Sequence, residues 1–285
     1  MRINTNVASL TALESNTQVN SNMTNSLEKL SSGLKINKAS DDASGLAIAD
    51  KLRTQASSIS QAIDNGNSAV ALMQIADKAM AEQSNILDIV KQKLIQAATA
   101  TTSVAGRDAI MKDMDKLLDQ LDNIASQTNY NGVSLLQGSS AGATSTSLTF
   151  QMGESSGDTM TAGSGVQSNN LGLGTSAIKN SVSGHSGAEF TAGSARALLT
   201  IIDDAISQLN TWRADFGSTQ NQVESALRNM MTQVTKIKAA ESVIRDVDYA
   251  AESANFNKQN IISQAGTFAM SQANQVQQNV LRLLQ

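Results

Sequence analysis

The stretch that decides the fold runs from Leu198 to Ile244 and reads LLTIIDDAISQLNTWRADFGSTQNQVESALRNMMTQVTKIKAAESVI. Its apolar side chains recur at alternating steps of four and three residues, which is the spacing of a helix packed lengthwise against other helices. They are Leu198, Ile202, Ala205, Leu209, Trp212, Phe216, Val223, Leu227, Met230, Val234, Ile237 and Ile244. An extra step of four, from Phe216 to Gln220, shifts the phase locally. We predict that Trp212 and the pair Met230–Met231 fill the core.

The length of this helix excludes a compact globule. At 1.5 Å per residue it spans roughly 70 Å, whereas a globule of 285 residues measures about 50 Å across. The chain also contains no proline that would interrupt its helices. We therefore expect a mainly α fold, an elongated bundle of long helices.

Two further helices precede this stretch. The first has strong three-four periodicity from Ile59 to Leu94, with Ser40 or Asp41 as the expected N-cap before it. The second carries the same period from Ile110 to Ile124, after a predicted loop from Thr99 to Gly106. Together with the long helix they predict a helical rod domain made of residues 45–137 and 194–245. An Asn131-Gly132 pair predicts a tight turn after the second of these helices.

Residues 138–193 form an insert of different character. Eleven of the 18 glycines lie there, among many serines and threonines, and Lys179 is its sole basic residue. Apolar and polar residues alternate from Leu148 to Met152, which predicts a short strand, with a hairpin partner near Thr159–Thr161. We expect a small β-hairpin region in an otherwise surface-exposed segment.

The terminal segments, residues 1–44 and 246–285, carry apolar stripes that the central bundle has no room to cover. We predict that they form a terminal coiled-coil pair whose remaining apolar surface is buried by other copies of the chain. The side chains expected to make this subunit packing are Ile3, Val7, Leu10, Leu27, Leu30, Ile262, Phe268, Val276, Val280, Leu283 and Leu284. The alternative is that these ends stay disordered in the monomer. Mutual burial between copies indicates polymerisation before any family is considered.

Composition excludes several classes of function. A net charge of −4 and 3% aromatic residues do not suit nucleic-acid binding, and the absence of cysteine rules out thiol chemistry. No apolar run is long enough for membrane insertion. The single histidine, His185, cannot build a zinc site or a catalytic triad within one chain. We interpret Asp41–Asp42, Asp203–Asp204 and Asp246 with Asp248 as caps and solvated faces, and expect no enzyme activity, metal or cofactor.

Several stretches resemble bacterial flagellins. They are Arg2–Asn6 (RINTN), Leu30–Asn37 (LSSGLKIN), Asp41–Ala49 (DDASGLAIA), Ser126–Gly132 (SQTNYNG), Gln264–Thr267 (QAGT), Gln272–Val276 (QANQV) and Asn279–Leu281 (NVL). These motifs are collinear with the family and cover both terminal thirds. The resemblance implies a structural subunit that assembles into the bacterial flagellar filament, with the terminal helices as its inner tube. With so short an insert, we expect no substantial outer domain.

The resemblance also implies a location and partners. The N-terminus lacks a secretory signal, which by itself would suggest the cytoplasm. Flagellins instead leave the cell unfolded through the flagellar export apparatus, with an export chaperone, and polymerise at the tip beside cap and hook-associated proteins. We therefore expect a secreted, extracellular filament protein. The alternative is a hook-filament junction protein, since such proteins resemble flagellins at their ends.

Two departures from the family bear on this chain. The stretch read by the animal innate flagellin receptor typically has Arg, Glu and Leu where this chain has Ile89, Gln92 and Lys93, so we expect weak or no receptor activation. Gln277 replaces a proline common in the family, which should leave the last helix straighter. Some relatives are O-glycosylated, and Ser181, Ser183, Ser186 and Thr191 are candidate sites here.

Overall fold

The computed structural model describes residues 5–136, 148–162, 179 and 190–284, with the backbone alone at 277 and 280–284. In these parts of the chain the helices are α1 (Val7–Ser32), α2 (Ala43–Ala98), α3 (Val104–Gln127), α4 (Ala192–Arg245) and α5 (Tyr249–Leu284). The strands are β1 (Asn129–Tyr130), β2 (Val133–Ser134), β3 (Leu148–Gln151) and β4 (Thr159–Ala162). At 1.5 Å per residue, α2 and α4 are each roughly 80 Å long. The prediction of a mainly α fold built from long helices is confirmed.

Local capping sets where the helices begin, and it corrects two predictions. Asp42, and not Ser40 or Asp41, caps α2, because its Oδ1 accepts a hydrogen bond from Gly45 N at 2.9 Å. The loop before α3 is shorter than Thr99–Gly106. Ser103 Oγ accepts from Gly106 N at 3.1 Å, which places that glycine in the first turn of the helix.

The chain divides into two compact units. Unit 1 comprises Met1–Ser57 and Val234–Gln285, and unit 2 comprises Ser58–Gln233. Both α2 and α4 therefore contribute to each unit. The side chains that line α4 within unit 2 are buried, whereas its later seam positions, such as Val234 and Ile237, are half-buried.

The seam of α4 follows the predicted period with one correction. Thr219, and not Gln220, occupies the buried position after Phe216. The hydroxyl of Thr219 donates to Asp215 O at 2.9 Å, so the side chain enters the core without an unpaired polar group. The double step of four therefore runs from Thr219 to Leu227, two steps later than the predicted one from Trp212 to Gln220.

Unit 2 has a core of methionine and leucine. Met73, Met80, Leu87 and Leu94 of α2 are almost fully buried, as are Met114, Leu118 and Leu121 of α3. Gln83, which the apolar period did not indicate, is also fully buried, and its Nε2 donates to Leu121 O at 3.3 Å. Trp212 and Met230 are buried as predicted. Met231 is 51% exposed, so the prediction that it fills the core was wrong.

Ion pairs flank this core between α2 and α4. Arg213 Nε lies 2.9 Å from Asp77 Oδ1, and Lys91 Nζ lies 2.5 Å from Asp203 Oδ1. All four side chains are partly exposed, so each pair contributes little free energy. The four charged residues lie at polar positions of the helical stripes. Because their charges are paired, these positions can border the packed seam.

Two hairpins complete unit 2. Asn131 and Gly132 have φ of 50° and 80° and join β1 to β2, which confirms the predicted turn and fits the positive φ values of a type I′ turn. β3 pairs antiparallel with β4, as predicted, with Leu148 opposite Ala162. A Cβ on Gly66 would lie 2.7 Å from Leu227 Cδ2 and 2.9 Å from Met152 Cε, so this glycine lets both residues approach α2 closely.

Candidate assembly surface

The terminal helices α1 and α5 pack against each other in unit 1 and run antiparallel. Side-chain hydrogen bonds mark the pairing at three levels: they join Asn6 to Ala273, Asn16 to Ser263, and Ser26 to Glu252. The two residue numbers of each contact add to nearly the same value, as an antiparallel pair requires. The register of α1 against α5 is therefore defined along most of their length.

The seam between α1 and α5 is largely small or polar. Its sheltered positions are Ser9, Ala12, Asn16, Val19, Met23, Ser26 and Leu30 in α1, and Glu252, Phe256, Gln259, Ser263, Gly266, Met270 and Ala273 in α5. Within α1, only Asn16 and Ser26 are fully buried, and both are hydrogen-bonded. A methyl group added at Gly266 would lie 3.5 Å from Asn16 Oδ1, an ordinary van der Waals distance, so the seam has room for alanine there. Polar contacts fix the register of this pair.

Several large apolar side chains of the pair face outward, whereas Val19, Met23, Leu30, Phe256 and Met270 are half-buried in the seam. The exposed fractions are 64% for Val7, 54% for Leu10, 49% for Leu13, 55% for Leu27, 67% for Ile261, 39% for Ile262, 73% for Phe268 and 52% for Val276. An open groove of about 690 Å³ runs along α1, lined by Leu10, Thr11, Leu13, Glu14, Thr17, Gln18 and Ser21. Two of the lining residues are leucines and the other five are polar, so the exposed apolar side chains of both helices, and not the groove alone, make this surface a candidate interaction site.

The two connections that lead into this pair are bonded to each other. Leu34, after α1, forms an antiparallel bridge with Asp246, before α5. Lys35 N donates to Arg245 O at 2.6 Å, and Val247 N donates to Gly33 O at 3.0 Å. These bonds hold the end of α1 next to the start of α5. We call the bonded segments, residues 33–35 and 245–247, the joint.

Charged side chains surround this joint. Arg245, which is 17% exposed, lies 3.7 Å from Asp50 Oδ1, and Arg53 lies 3.0 Å from the same oxygen. Asp248 begins α5 by accepting hydrogen bonds from Ala250 N and Ala251 N. This confirms the interpretation of Asp248 as a cap.

Both ends of the chain match one protein family. The bacterial flagellin N-terminal helical region matches residues 3–141, and the bacterial flagellin C-terminal helical region matches residues 199–284. The chain belongs to the bacterial flagellin family. It is a short flagellin, a structural subunit of the flagellar filament.

Individual relatives agree with this assignment. The chain is 36% identical to flagellin of Bacillus subtilis and 33% identical to the flagellar filament 33 kDa core protein of Treponema phagedenis, over the full length of each protein. Flagellin B of Helicobacter pylori is 43% identical, over 73% of this chain and 39% of that protein. The matches to the first two proteins extend over both chains completely, which agrees with a short flagellin.

A solved structure bears on the alternative function. The putative flagellar hook-associated protein from Vibrio parahaemolyticus superposes with a TM-score of 0.62, over 72% of this chain and 99% of that one, at 15% identity. An identity this low establishes a shared fold and nothing more. The junction-protein alternative is therefore less well supported than the filament flagellin.

The residues predicted to pack between flagellin subunits are placed as follows. Val7, Leu10, Leu27, Ile262, Phe268 and Val276 are exposed on the α1–α5 pair, and Leu30 is half-buried. Ile3 and the side chains of Val280, Leu283 and Leu284 lie outside the described part of the chain. The sequence reasoning missed the polar seam. Its sheltered positions recur every seven residues, as Asn16, Met23 and Leu30 in one helix and Phe256, Ser263 and Met270 in the other, but the polar members give no hydrophobic signal.

The residues that depart from the receptor motif lie on the surface of α2. Ile89 is 41% exposed, Gln92 is exposed, and Lys93 Nζ lies 2.9 Å from Asp113 Oδ2. Of the candidate glycosylation sites, Ser181, Ser183 and Ser186 lie outside the described residues. Thr191 caps α4, since its Oγ1 accepts a hydrogen bond from Ser194 N at 3.2 Å.

An acidic group lies on the surface of α3 in this flagellin. Lys179, from the insert, pairs with Asp119 and lies 3.8 Å from Asp122 Oδ2. Burial raises the pKa of Asp115 and of Asp122 above the ordinary carboxyl value. Among the residues described, no cluster of histidine and carboxylate side chains could hold a metal ion. No helix in the same parts of the chain is long and apolar enough to cross a membrane.

Proposed function

We propose that this flagellin polymerises through the outward apolar faces of the α1–α5 pair. The observation that carries the proposal is the inverted arrangement of that pair, in which polar groups are sheltered and residues such as Leu10 and Phe268 remain exposed. Burying an exposed Leu or Phe side chain stabilises a complex by about 1.5–3 kcal/mol. Several such side chains per subunit can drive assembly.

The proposal assigns a role to each part of the chain. Residues 1–44 with 246–285 would form the inner tube of the filament, and residues 45–137 with 194–245 the helical domain around it. The insert, residues 138–193, would face outward. The polymer is extracellular, and the subunit reaches it unfolded through the flagellar export apparatus with an export chaperone, assembling beside cap and hook-associated proteins.

Folding of the terminal helices only on assembly agrees with the proposed export of an unfolded chain. The seam of α1 and α5 buries little apolar surface, and helices of this kind need outside packing to persist. The chain also has no cysteine that could form a disulfide during transit. A subunit whose ends fold on assembly would therefore remain open enough for export.

The proposed surface is tested by deleting residues 272–285 and, separately, by Phe268→Ser. Neither variant should extend sheared filament seeds in electron micrographs, whereas both should keep the helical circular dichroism of α2 and α4. Val243→Ser is the matched control, since Val243 is 84% exposed but lies on α4. Filaments of parental length from Phe268→Ser would refute the proposed surface.

Glycosylation of the insert is a separate proposal. A sugar on Thr191 would displace the hydrogen bond that begins α4, so we favour Ser181, Ser183 and Ser186 over Thr191. The intact mass of the subunit from native filaments tests this directly. A mass equal to that of the unmodified chain would reject glycosylation.

A further inference from the structure

Among the side chains that the structure describes, two exposed charges lie beside the outward apolar residues of the α1–α5 pair, one on each helix. On α1 this is Glu14, which lines the open groove together with Leu10 and Leu13. On α5 it is Lys258, one helical turn before the exposed Ile261. The two charges have opposite sign and lie on different helices.

Neither charge is neutralised within its own chain. Among the residues that the structure describes, Glu14 and Lys258 are both exposed and make no hydrogen bond or ion pair. The two other carboxylates of the pair have partners, since Glu28 binds Lys38 and Glu252 accepts from Ser26. Glu14 and Lys258 are thus available to a second molecule.

Their separation along the pair prevents them from meeting inside one subunit. Asn16 lies opposite Ser263, so Glu14 lies at the level of residue 265, seven positions from Lys258. Seven helical residues correspond to about 10 Å along the axis. An ion pair between these side chains needs two copies that are shifted against each other.

We infer that Glu14 of one copy pairs with Lys258 of its neighbour when the α1 face of the first packs on the α5 face of the second. This inference rests on the proposed function, because it specifies the register of the same surface. Burial of either charge in an apolar contact without a partner is strongly unfavourable, which makes the match selective. Contact between two unlike faces is heterologous, and it generates an open polymer in place of a closed dimer. Neighbouring pairs would be staggered by about 10 Å.

The test is a charge swap measured in seeded polymerisation of the full chain. Glu14→Lys and Lys258→Glu should each raise the critical concentration at least tenfold, because each places like charges together. The double variant should return it to within about threefold of the parent. Both positions are exposed, so the helicity of the monomers should not change.

Lys236→Glu is the matched control, since Lys236 is exposed in unit 1 without an ion pair and lies on α4. It should polymerise like the parent. Single reversals without effect, or a double variant no better than the worse single one, would overturn the ion pair. If Phe268→Ser still blocks assembly in that case, the proposed surface survives and only its register is wrong.

Discussion

At the scale of single residues, two glycines occupy opposite backbone conformations. Gly33 ends α1 with φ of 75°, its N–H donates to Lys29 O, and a Cβ there would lie 2.9 Å from Tyr249 Oη. Gly217 lies inside α4, and a Cβ there would meet no atom within 4 Å. The same substitution should therefore have opposite effects at the two positions.

We expect Gly33→Ala to destabilise unit 1 by roughly 1–2 kcal/mol, the cost of a left-handed conformation in a residue with a Cβ. Gly217→Ala should stabilise unit 2 by about 1 kcal/mol, because alanine favours the helix. Amide hydrogen exchange in α1 and α5 measures the first effect. Urea unfolding followed by the fluorescence of Trp212, the one tryptophan, measures the second. Two effects of equal sign would contradict this account.

Asp115 gives a pH dependence at the same scale. Burial is the main cause that raises the pKa of its carboxyl above 3.8, and Asp119 raises it further. The folded state then binds the proton more tightly than the unfolded state does. The stability contributed by this group is therefore present below pH 3.8 and is lost as the pH rises through the higher folded pKa.

Asp115→Asn should accordingly raise the free energy of unfolding of unit 2 at neutral pH by about 0.5 kcal/mol, a small value because water screens the site. The gain should vanish below pH 3.8. Trp212 fluorescence in urea at both pH values gives the measurement. The same substitution at Asp204, exposed on α4, is the control. A gain that grows on acidification would disprove the burial explanation.

At the scale of elements, the polar seam of α1 and α5 depends on one buried charged contact. Ser26 is 4% exposed, and its hydroxyl donates to the carboxylate of Glu252. Hydrogen bonds to charged groups contribute about 1.5–3 kcal/mol. We expect Ser26→Ala to destabilise the α1–α5 pair by about that amount, and Ser15→Ala, on the exposed side of α1, to change it little. Hydrogen exchange of the two helices compares them, and equal protection would show that the contact is dispensable.

The long helices and the hairpins were predictable because one signal governs each of them. Periodicity from Leu198 to Leu227 reflects burial within one chain, and Asn131-Gly132 adopts the positive φ values that its residues favour. The seam of the terminal pair was not predictable in this way. Its strongest apolar residues, such as Leu10 and Phe268, are exposed, while the sheltered Asn16 and Ser263 give no hydrophobic signal. Periodicity finds apolar faces and does not tell which neighbour covers them.

Buried polar residues whose position depends on hydrogen-bond geometry also could not be predicted from the sequence. Thr219 takes a core position because its hydroxyl bonds to the preceding turn, and Gln83 because it reaches the Leu121 carbonyl. Both side chains look like surface residues by type. Their burial requires coordinates.

At the scale of the whole molecule, we propose that side chains on the surface of α2 limit activation of the animal innate flagellin receptor. Ile89, Gln92 and Lys93 stand where the receptor-binding pattern has Arg, Glu and Leu, and Ile89 and Gln92 are exposed. We expect the monomer to activate the innate receptor poorly. The triple variant Ile89→Arg, Gln92→Glu, Lys93→Leu should gain activity at least tenfold in reporter cells, since buried charge pairs at an interface are strongly selective.

Loss of the Lys93–Asp113 ion pair should not confound that result, because both side chains are partly exposed and such pairs contribute little. Asp113→Asn alone is the control for it. Strong activation by the unchanged chain would refute the expectation.

The inward polar seam of α1 and α5 has a thermal consequence. On the proposed assembly surface, side chains such as Val7 and Phe268 would lose their water only when subunits dock, and not when the single chain folds. Removal of hydrocarbon from water lowers the heat capacity. This decrease should therefore be measured when the polymer elongates, and not when the single chain folds. Chilling weakens that driving force, so the ends of such a filament shed protomers more readily in the cold.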